Sequence, residues 1–207
     1  MKRRVLRYLF LGSSGRLLAK PYPVDPSCWE DMMPPKSLLI GSALLSATFG
    51  APPATQAAQT CNDAIVASAP DSRYQDNGDG TVTDLATGLI WKQCAEGLSG
   101  PDCATGSRQT FTWQAALQHA EAAVFAGSSL WRLPNKNELA TLPERRCSNP
   151  AINTTFFPNT PSSGFWSSSP YANLSSYAWY VYFYYGTVLR YGYKYGQEYV
   201  RLVRDGQ

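Results

Sequence analysis

Tyrosine is concentrated near the carboxy-terminal end of this 207-residue chain, where ten of its 13 tyrosines lie between Tyr171 and Tyr199. Serine, glycine and asparagine are interleaved with them. This mixture is typical of antibody-type binding surfaces, because tyrosine provides a large contact area at low rotamer cost while the small polar residues adapt their hydrogen bonds. The sequence therefore predicts a ligand-binding surface composed of tyrosines and one arginine: Tyr171, Tyr177, Tyr180, Tyr182, Tyr184, Tyr185, Arg190, Tyr191, Tyr193 and Tyr195.

A structural explanation of the same tyrosines also fits the sequence. Tyrosine has a high β-propensity, so the rings could pack beneath a loop or against another subunit. A large exposed aromatic patch is costly for an exported protein unless a partner covers it. The sequence leaves both explanations open, and an oligomer is compatible with either.

Four of the five cysteines, namely Cys61, Cys94, Cys103 and Cys147, follow residue 58. An even number of cysteines in an exported domain predicts two disulfides. The short loop between Cys94 and Cys103, which contains glycine and proline, favours that pair and leaves Cys61 for Cys147. A metal site is the alternative, but no C-x-x-C spacing occurs and the chain has one histidine, so we predict neither a metal nor a cofactor.

The sequence does not predict an enzyme. His119, the one histidine, falls on a predicted helix, where we expect a surface or boundary residue. A Ser-His-Asp catalytic triad would have to use His119, since the chain has no other histidine. No pair of carboxylates occurs at a spacing that would indicate acid–base catalysis. The acidic residues between Asp76 and Asp84 fail as a calcium loop, because an EF-hand register would place Ala86 at the bidentate position.

Three local patterns predict the elements before residue 143. Residues 73–92 predict a hairpin around the turn at residues 77–80, where asparagine and glycine tolerate positive φ. Residues 112–126 predict an amphipathic helix capped by Thr112, with Val124 on its buried face. Residues 131–133 predict a short buried strand that ends at Pro134. Asn135 and Glu138 then form a capping box for a second helix that runs through Leu142.

The last strands carry the tyrosines. Alternation along residues 178–188 predicts Trp179, Val181 and Phe183 on a core face, and Tyr180, Tyr182 and Tyr184 on the opposite face. A turn at Tyr185-Gly186 leads into residues 188–197, and residues 199–204 predict a closing strand.

Charge is distributed unevenly along the chain. Residues 1–58 hold 7 Lys/Arg against 3 Asp/Glu, whereas residues 59–207 hold 11 against 12. The basic excess therefore lies outside the predicted domain, and nucleic acid is not a predicted partner. No apolar stretch reaches the roughly 18 residues of a membrane-spanning helix, so we predict no membrane span in the mature form.

The basic first part of the chain contains a predicted secretory signal. After a start at Met32 or Met33, Lys36 precedes an apolar run and a stretch of small residues, which predicts cleavage after Ala57 or Ala58. We expect an exported protein that is periplasmic, surface-bound or secreted.

The predicted organisation follows from that signal. Residues 1–31 would be an upstream segment that precedes the true start, residues 32–58 the signal peptide, residues 59–72 a polar leader, and residues 73–207 the domain. An uncleaved internal anchor is the alternative. Lipid attachment at Cys61 is weakly supported, because the preceding residues lack the expected leucine-type side chain.

Six motifs resemble, in this order, the DUF1566 family, also called the Lcl carboxy-terminal-like domain: DNGDGTVTDLATGLIW, TWQAALQHA, WRLPNKNEL, FWSSSPYA, AWYVYFYYGTV and YVRLVR. The resemblance runs from about Arg73 to Arg204. WRLP and the closing RLVR also resemble formylglycine-generating enzymes. Together these resemblances imply an α+β, C-type-lectin-like fold with two helices packed on twisted, mostly antiparallel strands.

The resemblance also implies functions. Members of this fold include variable proteins of diversity-generating retroelements, which would make the tyrosine set and Arg190 diversified positions. The family name comes from a collagen-like adhesin that binds sulfated glycosaminoglycans, although this chain has no Gly-X-Y repeat. Independently of this resemblance, a binding surface would have Arg190, Lys194, Arg201 and Arg204 available to anionic groups such as sulfated sugars. Formylglycine-generating activity uses carboxy-terminal cysteines, and none follows Cys147.

The predicted function is therefore an exported module that recognises a protein or glycan ligand through its tyrosine surface. The alternatives are a structural envelope protein that uses this surface as a subunit interface, and an enzyme similar to the formylglycine-generating ones.

Overall fold

The computed structural model describes residues 58–206. The predicted upstream segment 1–31 and nearly all of the predicted signal peptide 32–58 lie outside the described residues. Within them, short strands outnumber two α-helices and form mostly antiparallel sheets, which confirms the α+β class with two helices and two disulfides. No helix in residues 58–206 is long and apolar enough to cross a membrane.

The larger sheet has five strands in the order β11-β10-β9-β12-β7. All neighbours in it are antiparallel except β9 and β12. Its strands are β7 (Thr110–Phe111), β9 (Gly164–Pro170), β10 (Tyr177–Tyr182), β11 (Thr187–Tyr193) and β12 (Glu198–Tyr199).

The turn between β10 and β11 is closed by a hydrogen bond of 2.9 Å from the Gly186 N–H to the Tyr182 carbonyl. Gly186 has a φ of +69°, which a residue with a side chain would adopt only with strain. The predicted turn at Tyr185-Gly186 is confirmed.

The second sheet has the order β13-β4-β3-β2. The turn predicted at residues 77–80 joins the first two of these strands along the chain and is confirmed. A second turn, after Asp84, joins the second strand to the third, so this region is a three-stranded meander and not a simple hairpin. The strands of the sheet are β2 (Tyr74–Asp76), β3 (Thr81–Asp84), β4 (Leu89–Lys92) and β13 (Val203–Asp205). A short 3-10 helix, Asp71–Arg73, precedes them.

Two pairs of very short strands are held beside the disulfides. β1 (Thr60–Cys61) pairs with β8 (Cys147–Ser148), and β5 (Leu98–Ser99) pairs with β6 (Thr105–Gly106). The disulfides join Cys61 to Cys147 and Cys94 to Cys103, as predicted.

The segment predicted as a polar leader, residues 59–72, is fastened by more than its disulfide. The backbone amides of Ser68 and Ala69 donate to the Glu144 carboxylate at 3.0 and 2.8 Å. Although burial alone would raise the pKa of the Glu144 carboxyl, hydrogen bonds from backbone amides hold that pKa below its ordinary value.

Helix α1, Trp113–Glu121, begins as predicted, since the Thr112 hydroxyl accepts from the Ala115 N–H. It ends five residues before the predicted end at residue 126. The chain instead turns back between Phe125 and Ser128, and Ala126 and Gly127 adopt the positive φ values that this turn requires. Val124, predicted to be buried, is 76% exposed.

Helix α2, Lys136–Leu139, contains the predicted capping box of Asn135 and Glu138. It ends at Leu139 rather than Leu142. The next hydrogen bonds join each N–H to the carbonyl three residues earlier, as in a 3-10 helix; an example is the bond from the Thr141 N–H to the Glu138 carbonyl. Before it, the predicted strand at residues 131–133 is reduced to a single bridge between Arg132 and Val203.

The predicted closing strand, residues 199–204, is divided between the two sheets. β12 belongs to the five-stranded sheet and β13 to the four-stranded one, and Val200, Arg201 and Leu202 cross between them fully buried. The core accordingly has two main clusters. One contains Trp91, Phe165, Val181 and Phe183, and the other packs α1 against Trp166, Val200 and Leu202.

Candidate ligand-binding surface

The predicted tyrosine surface is positioned by β10, β11 and the loop that joins β9 to β10. The loop is tied to β10 by a hydrogen bond from the Tyr171 N–H to the Tyr177 carbonyl, and Tyr177 lies opposite Tyr193 on β11. The predicted residues separate into two ring clusters and Tyr180, which belongs to neither cluster. We call them the Arg190 cluster (Tyr171, Tyr177, Trp179, Arg190, Tyr191, Tyr193 and Tyr195) and the turn cluster (Tyr182, Tyr184 and Tyr185).

The Arg190 cluster is a chain of edge-on and tilted contacts between rings. The Tyr191 ring centroid lies 6.0 Å from that of Tyr171 and 6.1 Å from that of Tyr177. Tyr177 then contacts Tyr193 at 5.6 Å, and Tyr193 contacts Tyr195 at 5.3 Å. Tyr191, Tyr193 and Tyr195 are 57%, 51% and 75% exposed, so this part of the predicted surface is open to solvent.

Basic side chains lie on and beside these rings. The Arg190 guanidinium is 4.8 Å from the Tyr191 ring centroid. The Lys136 ammonium lies 4.3 Å over Trp179, and the Lys194 ammonium lies 4.1 Å over Trp113. Within residues 58–206, no carboxylate forms an ion pair with Arg190, Lys136 or Lys194. The cluster therefore presents cations that cation–π contacts orient but that no acid neutralises.

The turn cluster is smaller, and no cation from residues 58–206 lies over its rings. The Tyr182 and Tyr184 rings are stacked, 6.1 Å apart with an interplanar angle of 14°, and Tyr184 contacts Tyr185 at 4.4 Å. Tyr185 is exposed, whereas the other two rings are half-buried.

Tyr180 is separate from both clusters because it packs against the core. Its ring meets that of buried Trp166 edge-on at 6.2 Å. Burial raises the pKa of Tyr180, and the nearby Glu198 carboxylate raises it further.

Glu198 lies over Gly164, whose missing Cβ leaves room for the carboxylate. The Glu198 carboxylate makes no hydrogen bond or ion pair with the described residues, and burial raises its pKa. Glu198 was not predicted, because nothing in the local sequence marks it.

A family model described as the Lcl C-terminal domain matches residues 80–204, which include β3 through α2, both tyrosine clusters and most of β13. The chain belongs to the Lcl C-terminal domain family. The resemblance predicted from the six motifs is thereby confirmed. Neither the curated proteins nor the solved structures contain a match to this chain.

The alternation predicted for β10 of this Lcl C-terminal domain holds for Val181 and Phe183, which are fully buried. It fails for Trp179, which is half-buried and contacts the Tyr171 ring at 5.6 Å. The cause is an irregularity in the pairing of β10 with both neighbours between Ala178 and Tyr180. Ala178 is the fully buried residue there, and Trp179 joins the Arg190 cluster.

Four basic residues were expected to be available to anionic groups, and for Arg201 this expectation is wrong. Its guanidinium is fully buried, donates to the Lys92 and Gln93 carbonyls and the Thr160 hydroxyl, and lies 4.9 Å from the Phe157 ring centroid. Burial lowers the pKa of Arg201 to about 9, so the group remains cationic at neutral pH. Arg204 is half-buried against Trp131, whereas Arg190 is exposed.

The single histidine of the Lcl C-terminal domain lies at the boundary of the core. His119 Nε2 is 2.8 Å from a Glu96 carboxylate oxygen, and its ring is 4.7 Å from that of Phe111. Glu96 also pairs with Lys92 at 2.8 Å. In the part of the chain that the structure describes, no group of three or more His, Cys, Asp or Glu could hold a metal ion.

Proposed function

We propose that this Lcl C-terminal domain is an exported ligand-binding module that recognises a protein or a glycan through the tyrosines of its last strands, and that it is not an enzyme. The observation that carries the proposal is the Arg190 cluster, in which a row of rings more than half exposed begins beside a cation that has no carboxylate partner within residues 58–206. Such rings keep both an apolar face and a hydroxyl available to a ligand.

The charges favour an anionic group at the Arg190 end of the surface. Arg190 and Lys194 are free of ion pairs in residues 58–206 and flank the exposed rings. A carboxylate or sulfate of the ligand would pair with them while its carbon skeleton contacts Tyr191 or Tyr193. An acidic glycan and an acidic protein segment both offer this chemistry.

Export is supported by the two disulfides, since such bonds persist mainly in oxidising compartments. The periplasm, the cell surface and the external medium all satisfy that requirement. The two helices on mostly antiparallel strands also support the C-type-lectin-like fold that we propose for the domain.

Diversification by a retroelement is part of the same proposal. The exposed tyrosines and Arg190 would be the variable positions, and buried Val181 and Phe183 the constant framework. A near-copy of the 3′ coding region that differs mainly at adenines, beside a reverse-transcriptase gene, would support this part. A neighbourhood without either would remove it.

A subunit interface in the cell envelope is the second candidate. Exposed Leu189 lies on β11 among the exposed tyrosines, which adds to an aromatic patch that a second copy could cover. Sizing over a range of protein concentrations separates the two functions, because an interface gives association and a monomeric binder does not.

The decisive experiment screens the protein against glycan and protein arrays. Tyr191→Ser, Tyr193→Ser and Tyr195→Ser combined should abolish binding and leave the thermal unfolding transition unchanged, because these rings are exposed. The matched control replaces exposed apolar residues elsewhere, Val66→Ser, Val124→Ser and Leu130→Ser, and should bind as the unchanged protein does. Binding that survives the tyrosine changes would move the site away from this surface.

A further inference from the structure

A cleft with a volume of about 530 Å³ lies apart from the tyrosine clusters. It is enclosed by the turn at residues 77–80, the end of β4, the loop of the Cys94–Cys103 disulfide and the Phe125 ring. Volumes of this order are typical of sites for small molecules. None of its lining residues belongs to the surface proposed above.

The side chain of Gln93 is the unusual feature of this cleft. Gln93 is only 7% exposed and lines the cleft, yet its side-chain amide makes no hydrogen bond with the described residues. Its backbone, by contrast, is satisfied, because the N–H donates to Gly80 at 2.9 Å and the carbonyl accepts from Arg201. An amide at the wall of a cleft that has no protein partner is open to a ligand that both donates to it and accepts from it.

The wall beside Gln93 is apolar. It contains Leu98, Pro101 and the ring of Phe125. Lys92 also lines the cleft, but its ammonium is committed to Glu96 at 2.8 Å and lies 4.7 Å over the Phe125 ring. The wall therefore suits a small apolar group next to the amide.

Two exposed carboxylates stand at the rim. One Asp76 oxygen accepts from the Gly78 N–H at 2.8 Å, and one Asp79 oxygen accepts from the Thr81 hydroxyl at 2.6 Å. The other oxygen of each carboxylate has no partner among the described residues. These oxygens accept hydrogen bonds from hydroxyl groups and repel an anionic ligand.

We propose that this cleft binds a neutral sugar residue that carries an acetamido group, an N-acetylhexosamine. The acetamido group pairs reciprocally with the Gln93 amide, and its methyl group lies against Leu98 and Phe125. The sugar hydroxyls donate to Asp76 and Asp79. This site is independent of the proposed function of the tyrosine surface and selects a neutral ligand where that surface selects an anionic one.

Calorimetric titration of the full chain with N-acetylglucosamine, glucose and glucosamine tests the assignment. N-acetylglucosamine should bind with a millimolar dissociation constant, and glucose about tenfold more weakly, because it lacks the acetamido group. Gln93→Leu should reduce binding of N-acetylglucosamine to the level of glucose. Gln118→Leu, the same change at an exposed position of α1, should have no effect.

Any of the following results would overturn the proposal: no binding of N-acetylglucosamine, equal binding by Gln93→Leu, or tighter binding of cationic glucosamine. If Gln93→Leu does not fold, Ser99→Trp serves instead, because exposed Ser99 lines the cleft and a large ring there fills it. A folded Ser99→Trp protein that binds like the original would also overturn it. The triple tyrosine variant should retain this binding, which separates the two sites.

Discussion

The dipeptide Arg-Tyr occurs twice among the described residues, once where the chain enters the four-stranded sheet and once in β11, and these two copies have opposite roles. In the meander, Arg73 donates to the buried Asp84 carboxylate at 2.8 Å, and Tyr74 is only 5% exposed, with its ring 5.3 Å from that of Phe157. In the hairpin formed by β10 and β11, Arg190 has no carboxylate partner within residues 58–206, and Tyr191 is 57% exposed.

The difference teaches that residue type does not decide between structure and recognition. A carboxylate at Asp84 and a covering layer of phenylalanines make the first pair structural. The second pair lacks both, so its contact energy remains available to a ligand. The following predictions test that contrast, in order of decreasing effect.

The largest effect is expected from Arg73→Gln. This change leaves the fully buried Asp84 carboxylate without its cation, and breaking a buried pair in this way costs about 3 kcal/mol or more. Denaturant titration measures the loss of unfolding free energy. A loss below about 1 kcal/mol would show that Arg73 is as dispensable to the fold as a surface arginine.

The same substitution at Arg190 should leave stability within about 0.5 kcal/mol of the original, because the side chain is exposed. It should instead weaken binding of the ligand found on the arrays about tenfold, or about 1.4 kcal/mol. Arg145→Gln, on another exposed arginine that lies outside the cluster, is the comparison for binding. Equal affinities of the Arg190 variant and the unchanged protein would contradict the assigned role.

Acid should destabilise the meander through Asp84. Burial alone would raise the pKa of this carboxyl, but the hydrogen bonds from Arg73 lower it below the ordinary value. A lowered folded-state pKa gives stability that is present above the unfolded value of about 3.9 and is lost as pH falls through the folded value. Each pKa unit of lowering contributes about 1.4 kcal/mol.

Unfolding free energies measured between neutral pH and pH values below about 4 check this expectation. Asp84→Asn removes the titrating group, so its stability should depend less steeply on pH in the acid range. An unchanged acid dependence would assign the effect to other carboxyls, of which Glu144 has a similarly lowered pKa.

The smallest effect is expected from removal of single hydroxyls. The Tyr74 hydroxyl is buried and has no hydrogen-bond partner among the described residues, so Tyr74→Phe should leave stability unchanged or raise it by up to about 1 kcal/mol. Thermal unfolding measures it. Tyr191→Phe should not change stability but should weaken ligand binding. A loss of stability with unchanged binding would mean that Tyr191 has a structural role and not a binding role.

The parts of the fold that the sequence predicts correctly depend on short-range chemistry. The Cys94–Cys103 pair follows from a short loop, and the Asn135 capping box and the turn at residues 77–80 follow from residues a few positions apart. The burial of Val181 and Phe183 follows from strand alternation. Each of these patterns spans about ten residues or fewer.

The errors arise where distant segments decide the outcome. Arg201 is buried because the carbonyls of Lys92 and Gln93, more than 100 positions away, accept its hydrogen bonds. Trp179 leaves the core because two neighbouring strands shift register beside it. The Gln93 cleft is likewise invisible in the sequence, since a turn, a disulfide loop and Phe125 enclose it together.

The crossing of Val200, Arg201 and Leu202 between the sheets has a consequence for biosynthesis. A nascent chain that has not reached residue 198 lacks β12 from the middle of one sheet and β13 from the edge of the other, along with the side chains that seal the space between them. The domain thus cannot close until residues 198–205 have been synthesised, although most of its strands are complete before then.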